Sequence, residues 1–276
     1  MRSLSLLAFL FVFAFTSCNT STSTDKGTDA TDATDAATTA KPAPTAKKYT
    51  LTPFTSSTEY PDAKINSVSY KNGKFSFDIA DGEYKLGAQT PDAEQKMCAN
   101  SGKGQHIHLI VNNGPYAAKY EPEFDYPMGH GDFYILGFLS RSYHESIKTA
   151  DAHWLKKAHV HGNSINNPQD VTDPMVFYSR PKGTYTGKLA TTKVMLDFYL
   201  ANCTLGTDYM VHANINGENH ILDKWQPYYI EGLPMGKNMI QLTLTDKDGN
   251  AVKTPLNPVR REFVLEEDPA EAAAGK

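Results

Sequence analysis

Residues 74–87, KFSFDIADGEYKLG, align without a gap on residues 193–206, KVMLDFYLANCTLG. The alignment continues downstream in the same order, because residues 108–112, HLIVN, match residues 212–216, HANIN. Matches that keep their order at a nearly constant offset are the sequence signature of a repeated unit. The chain therefore contains two copies of one domain, in tandem.

Each copy has the hydrophobic pattern of β-strands. Phe75, Phe77 and Ile79 alternate with polar or small residues, and residues 240–244, IQLTL, show the same period of two. One strand of each copy aligns through its alternate side chains: Tyr134, Leu136 and Phe138 with Ile240, Leu242 and Leu244. Turn signals such as Asn72-Gly73 separate the strands, and no long amphipathic stretch with helix caps interrupts them. We predict an all-β protein with two tandem antiparallel β-sandwiches.

Residues 236–250, GKNMIQLTLTDKDGN, resemble the last hairpin of bacterial Ig-like and fibronectin-like modules. In those modules a glycine turn precedes an alternating strand that ends in a similar Asp-rich tip. The resemblance implies that both sandwiches are Ig-like. It is specific for architecture and says little about function.

The composition divides the rest of the chain around these copies. We expect a first β-sandwich at 49–148, a connector at 149–188, a second β-sandwich at 189–265 and a flexible tail at 266–276. The connector is polar and irregular in sequence, and its aromatic residues suggest that it packs across a domain face.

The N-terminal residues 1–17 have the form of a signal peptide. The apolar run at 4–15 is too short to span a ~30 Å hydrocarbon core. Residues 15–18, FTSC, resemble the lipobox of bacterial lipoproteins. This implies that Cys18 is diacylated and holds the protein on the bacterial cell envelope, at the outer membrane or a periplasmic membrane face. Residues 18–48, rich in Thr, Ala and Asp, are expected to be a disordered tether.

The overall composition excludes several classes of protein. With 40% hydrophobic residues among 276, the chain has enough apolar surface for packed cores. A net charge of -4 provides no basic field for nucleic acid. Three Cys cannot form a disulfide scaffold in a chain of this length.

A cluster of histidines gives the sharpest chemical hypothesis. Seven of the nine His lie between residues 106 and 161. His106 and His108 stand two apart on a predicted strand, so their imidazoles share one face and can share a metal ion. His144 or His130 could supply a third nitrogen, and zinc or copper would suit such ligands.

The competing interpretation of these histidines is structural. His108 corresponds to His212 in the second copy, where no His stands two residues earlier. A His that recurs at one strand position could simply be hydrogen-bonded at a sheet edge. No His-Glu-x-x-His or Cys-x-x-Cys signature accompanies the cluster.

Two further sites are proposed by the sequence. The first is an inter-domain binding surface for a peptide, a glycan or an envelope protein, formed by Arg141, Tyr143, His144, Trp154, His159, His161 and Arg180. The second is the stretch at 140–144, SRSYH, which resembles the Ser-Arg-x-His element of phosphothreonine-binding forkhead-associated domains but has one extra residue. That resemblance implies phosphopeptide or anion binding at Ser140 and Arg141.

Catalysis has little support in the sequence. The acidic residues are numerous but unpatterned, and no Gly-x-Ser-x-Gly elbow is present. We therefore expect a non-catalytic binding protein, with periplasmic zinc or copper binding as the alternative function.

Overall fold

The structure is a computed structural model that describes residues 49–274. The predicted signal peptide (1–17), the predicted lipidation site Cys18 and the predicted tether (18–48) lie outside the described residues. In chain order the elements are β1 (Thr50–Pro53), β2 (Ile65–Lys71), β3 (Lys74–Ile79), a 3-10 helix (Ala93–Lys96), β4 (His106–Val111), β5 (Ala117–Lys119), β6 (Glu123–Asp125), β7 (Gly131–Ser140), β8 (His153–His161), β9 (Ser164–Ile165), β10 (Gln169–Asp170), β11 (Met175–Arg180), β12 (Gly183–Thr186), α1 (Lys188–Thr192), β13 (Lys193–Ala201), β14 (Tyr209–Ile215), β15 (Glu218–Leu222), β16 (Tyr228–Glu231), β17 (Gly236–Asp246), β18 (Val259–Glu266) and α2 (Pro269–Ala274).

The first sandwich packs two antiparallel sheets face to face. One sheet has the strand order β2-β3-β6, and the other has the order β10-β8-β7-β4-β5, with β9 paired to β8. Phe75 and Phe77 of β3 meet Ile107 and Leu109 of β4 in one buried core. The alternation read from the sequence therefore places the apolar side chains of these strands between the sheets.

The second sandwich has the same construction. Its sheets have the orders β1-β16-β13-β11 and β12-β18-β17-β14-β15. Leu196 and Phe198 of β13 share a core with Leu242 of β17 and Phe263 of β18. The pairs within these sheets are antiparallel except for β12 with β18, which is parallel.

Both copies follow one chain topology. When the shared strands are numbered in chain order, one sheet of each copy has the order 1-2-5 and the other has the order 4-3-6-7. This is an immunoglobulin-type arrangement in which the fourth strand pairs with the third. The predicted fold class, all-β with two tandem Ig-like sandwiches, is confirmed.

The strand registers correct one detail of the internal alignment. Val111 pairs with Ile135, and its counterpart Ile215 pairs with Ile240, so Ile135 is equivalent to Ile240. The predicted match places these strands one residue out of register, since it aligns Tyr134, Leu136 and Phe138 with Ile240, Leu242 and Leu244. The cause is that β7 is apolar on both faces, which removes the period-two signal that would fix its register.

The two sandwiches are packed against each other. The outer face of the β4–β7 sheet lies on the outer face of the β11–β13 sheet, where Phe138 stacks on Tyr199 with ring centroids 5.0 Å apart. Ile110, Leu136 and Phe177 complete the buried layer between them. The described part of the chain is one compact unit of four stacked sheets.

The predicted connector at 149–188 differs from the observed structure. It carries β8, the last shared strand of the first sandwich, and β11, the first strand of the second. β8 was missed because residues 153–156 are half-buried on both faces and break the alternation, which leaves only residues 157–161 with exposed polar and buried apolar positions in turn. In the predicted tail, residues 269–274 form α2.

Candidate metal centre

His106 and His108 lie on the face of β4 that points toward the second sandwich. Their neighbours Ile107 and Leu109 point the opposite way, into the core of the first sandwich. A strand alternates its side chains, so the two histidines necessarily share one face. Both are fully buried, with 0% exposure, because the β11–β13 sheet covers that face.

His144 reaches the same place from the loop after β7. A bridge between Ser140 and Ser146 closes this loop, and the His144 amide donates to Arg141 O at 2.8 Å. His144 has a φ of 69°, a left-handed conformation that is uncommon for a residue with a side chain. The tight loop thus turns the imidazole of His144 back over β4.

The three imidazoles converge on one point. His106 Nε2 is 2.9 Å from His108 Nε2 and 2.9 Å from His144 Nδ1. His108 Nε2 is 3.4 Å from His144 Nδ1. In the part of the chain that the structure describes, these three histidines form a group of possible metal ligands whose nitrogen atoms all lie within 4.8 Å of one another. The structure therefore brings together the three residues that the sequence named as a metal site.

The hydrogen bonds of the outer ring nitrogens leave the inner nitrogens facing each other. His106 Nδ1 lies 2.8 Å from Gly104 O, and since a carbonyl only accepts, this nitrogen carries the proton. Neutral His106 therefore presents a bare lone pair at Nε2 to two other nitrogens. His108 Nδ1 is 3.2 Å from Ser179 Oγ, on β11 of the second sandwich. The lone pair of His106 Nε2 can accept a proton in a hydrogen bond from His108 or His144, or all three inner nitrogens can present lone pairs to a cation at the centre.

Burial keeps these histidines neutral. It lowers the pKa of His106 to about 4, with the Arg180 guanidinium acting in the same direction and the bond to Gly104 opposing it. Burial likewise lowers the pKa of His108 and of His144 well below the ordinary value of 6.5, and Arg180 adds to both effects. Neutral imidazole is the form that binds a metal ion.

Aromatic rings and two cations surround the cluster. Tyr116 stacks on His108 with centroids 3.7 Å apart and planes 9° apart, and its hydroxyl is 3.3 Å from His144 Nδ1. Lys182 Nζ lies 4.2 Å from the centroid of the same tyrosine ring. The buried Arg180 donates to Tyr143 O, next to His144, at 3.3 Å.

The second copy shows what the site depends on. His212 occupies the position of His108, and Met210 occupies that of His106. The outer face of this sheet carries half-buried polar residues such as Asn214 and Thr243. His108 and His212 therefore share a strand position but not their surroundings, because in the described part of the chain the second copy has no cover over this face.

The predicted inter-domain binding surface does not form one exposed face. Arg141, Tyr143 and Arg180 are buried, at 7%, 0% and 5% exposure. Arg141 donates to Thr58 O and pairs with Glu145, so its guanidinium is engaged within the protein rather than turned toward an anion. Because Ser140 is also fully buried, the predicted phosphopeptide loop is a packed structural loop.

The remaining members of that surface lie on β8. Trp154 is half-buried and packs against the first core. His159 and His161 are exposed and lie beside His130, with His161 Nδ1 3.4 Å from His130 Nδ1. His130, offered by the sequence as an alternative third ligand, belongs to this exposed group and not to the buried one.

Sequence reasoning missed the residues that enclose the histidine cluster. Ser179 and Lys182 come from the second sandwich, far along the chain, and carry no motif. Gly104 precedes His106 by two positions, and its φ of 81° brings its carbonyl to the ring. Tyr116 follows the turn at 112–115, which connects β4 to β5 as a hairpin. Because a hairpin returns the chain beside its first strand, this turn could have predicted that Tyr116 lies near His108.

Comparison with known proteins does not place the chain in a family. No family model matches the sequence, and no curated protein matches it. The fibronectin(III)-like modules of Clostridium thermocellum CbhA match with 10% identity and a TM-score of 0.27, over 70% of this chain and 85% of that one. A Ca²⁺-stabilised adhesin that helps an Antarctic bacterium bind ice matches with 11% identity and a TM-score of 0.23, over 77% and 50%. Bacteroides ovatus SGBP-B, in complex with a mixed-linkage heptasaccharide, matches with 5% identity and a TM-score of 0.19, over 77% and 67%. At these TM-scores the matches carry no conclusion about the ligand of this chain.

Helices in the described residues are short. None has the length and apolar character needed to cross a membrane.

Proposed function

We propose that this protein is a non-catalytic binding protein of the cell envelope that holds one transition-metal ion, zinc or copper, between His106, His108 and His144. The observation that carries the proposal is the convergence of three imidazole nitrogens, from the buried His106 and His108 and the half-buried His144, within 3.4 Å of one another. Without a cation, the same nitrogens are satisfied only by hydrogen bonds among the imidazoles, whereas a bound ion would accept the lone pairs of all three.

The size of the cluster suits a metal ion. A triangle with sides of 2.9, 2.9 and 3.4 Å has its centre roughly 1.8 Å from each nitrogen, close to the ~2.0–2.1 Å of a zinc–imidazole bond. Small side-chain movements of a few tenths of an ångström therefore give normal bond lengths. His106 Nδ1 donates to Gly104 O and His108 Nδ1 is hydrogen-bonded to Ser179 Oγ, and these bonds fix two of the rings, as outer partners do in metal sites.

Binding is favoured over catalysis by the surroundings of the site. No carboxylate joins the three histidines in the described part of the chain, so no acidic general base stands at the centre. Tyr116 and the facing sheet cover His108. Binding of a peptide, a glycan or an envelope protein stays a prediction, because the residues expected to form that binding surface do not share one exposed face.

Metal analysis tests the proposal. The protein, purified without an affinity tag that contains histidine, is expected to retain about one zinc or copper per chain by inductively coupled plasma mass spectrometry. His108→Asn should weaken binding of the same metal by at least about 100-fold in a chelator competition. The matched control is His212→Asn, at the equivalent strand position of the second copy, which should bind as the unaltered protein does. Absence of stoichiometric metal, or equal loss in both variants, would reject the site.

Anchoring at the envelope is a separate proposal that rests on residues 1–18 alone. Intact mass spectrometry of the mature protein should show cleavage before Cys18 and the added mass of its acyl chains. Cys18→Ser should abolish that mass and release the protein from the detergent phase. A mature chain with an unmodified Cys18 would contradict lipid anchoring and leave the metal site untouched.

A further inference from the structure

We infer that the metal ion held by His106, His108 and His144 is monovalent copper, Cu(I), in preference to divalent zinc. This inference rests on the proposed metal-binding function and adds the charge and coordination of the ion. Its basis is the charge surrounding the cluster.

The ligands contribute no negative charge. Three neutral imidazoles form the whole donor group in the described residues, without a carboxylate or a thiolate. A bound ion therefore keeps its full formal charge inside the protein. The cost of burying a charge rises steeply with its size, so a buried dication needs anionic ligands more than a monocation does.

Two cationic side chains border the same space. Arg180 is 5% exposed, and its guanidinium donates to Tyr143 O and to Tyr185 Oη rather than to an acid. No carboxylate of the described residues lies within ion-pair distance of Arg180 or Lys182. Each positive charge repels a dication twice as strongly as a monocation at the same position. The pair therefore disfavours zinc relative to Cu(I).

The coordination also favours Cu(I). Zinc completes a tetrahedron with a fourth ligand. The polar protein atom beside the inner nitrogens is Tyr116 Oη, 3.3 Å from His144 Nδ1, and a phenol is a weak donor at neutral pH. Cu(I) is stable with three ligands, which is the number that the cluster provides. Tyr116 stacked on His108 and the ring of Phe138, 5.0 Å from His108, place aromatic surface beside the ligands.

Paired competition titrations test the inference. Metal-free protein is titrated anaerobically with Cu(I) against bathocuproine disulfonate and, separately, with Zn(II) against a chromogenic zinc chelator. Cu(I) is expected to bind one per chain and at least about 100-fold more tightly than Zn(II). Equal or tighter zinc binding would overturn the inference while supporting the proposed function. Failure of both metals to bind would overturn both.

A charge variant tests the reason for the preference. Lys182→Gln removes one bordering cation from a half-buried position. It should therefore strengthen Zn(II) binding more than Cu(I) binding, and reduce the ratio of the Cu(I) affinity to the Zn(II) affinity about two- to fivefold. The matched control is Lys157→Gln, because Lys157 also lies over a tyrosine ring, that of Tyr134 on β7. An unchanged ratio in Lys182→Gln, or an equal change in the control, would overturn the electrostatic explanation.

Discussion

Acidification is expected to destabilise the metal-free protein through its buried histidines. The perturbation is a change from pH 7 to pH 5 in the presence of a chelator. The pKa of His106 falls from an ordinary 6.5 to about 4 in the folded protein because of burial. Between these two values the unfolded chain binds a proton that the folded chain does not. Stability is therefore fully present above pH 6.5 and is lost as the pH falls toward 4.

The size of this effect follows from the two pKa values. Proton linkage at His106 removes about 2 kcal/mol at pH 5 and about 3 kcal/mol once the pH reaches 4. His108 and His144, whose pKa values are lowered in the same direction, add to the loss. A domain with a stability of 5–15 kcal/mol, roughly the usual range, would lose a large part of it.

Urea denaturation at pH 7, 6 and 5 measures the effect. The free energy of unfolding of the metal-free protein should fall with pH, and His106→Gln should reduce that fall by about 2 kcal/mol at pH 5, since glutamine does not titrate. His212→Gln, the same substitution at the equivalent strand position of the second copy, is the control. A slope that is the same in His106→Gln and the unaltered protein would refute the reasoning that His106 is held neutral by burial.

Two further predictions concern the framework that positions the site. In Gly137→Ala, the new Cβ would lie 2.7 Å from a ring carbon of Phe77, so the melting temperature should fall by the equivalent of about 1–3 kcal/mol. Gly129→Ala meets no atom within 4 Å and is the control; equal effects would contradict the overpacking argument. Asp197→Ala leaves Lys148, 2.9 Å from a fully buried carboxylate, without its ion-pair partner, and should cost about 3 kcal/mol in urea denaturation. Asp197→Asn keeps a hydrogen-bond acceptor but removes the charge, so it should cost less than Asp197→Ala while remaining destabilising; no loss in Asp197→Asn would argue against the charge pair.

The fold was predictable where one face of a strand is buried and the other is not. β17 reads as apolar at residues 240, 242 and 244 because its other face is only half-buried, and its period of two survives in the sequence. β7 lost that signal because Leu136 and Phe138 face the second sandwich while Ile135 and Leu139 face the first. Because the second copy packs on β7, both faces of this strand are apolar, and its register cannot be read from the sequence.

The candidate site was predictable to the extent that strand geometry determines it. The spacing of His106 and His108 alone places both rings on one face. Choosing His144 over His130 required the conformation of a tight loop, which depends on backbone bonds between residues 140–146. Ser179 and Lys182 could not be assigned, because their approach depends on how one sandwich packs on the other.

The packing of the second copy on the first determines the surroundings of the three histidines. On β14, the histidine His212 stands on a sheet face that remains half-exposed, and no metal cluster forms there among the described residues. On β4, the second sandwich covers the same face, supplies Ser179 to orient His108 and brings Arg180 close enough to help keep all three histidines neutral. The second copy thus acts on the first by desolvation and charge. A chain truncated before β11 would retain the three histidines while losing the sheet that buries two of them and the arginine beside them.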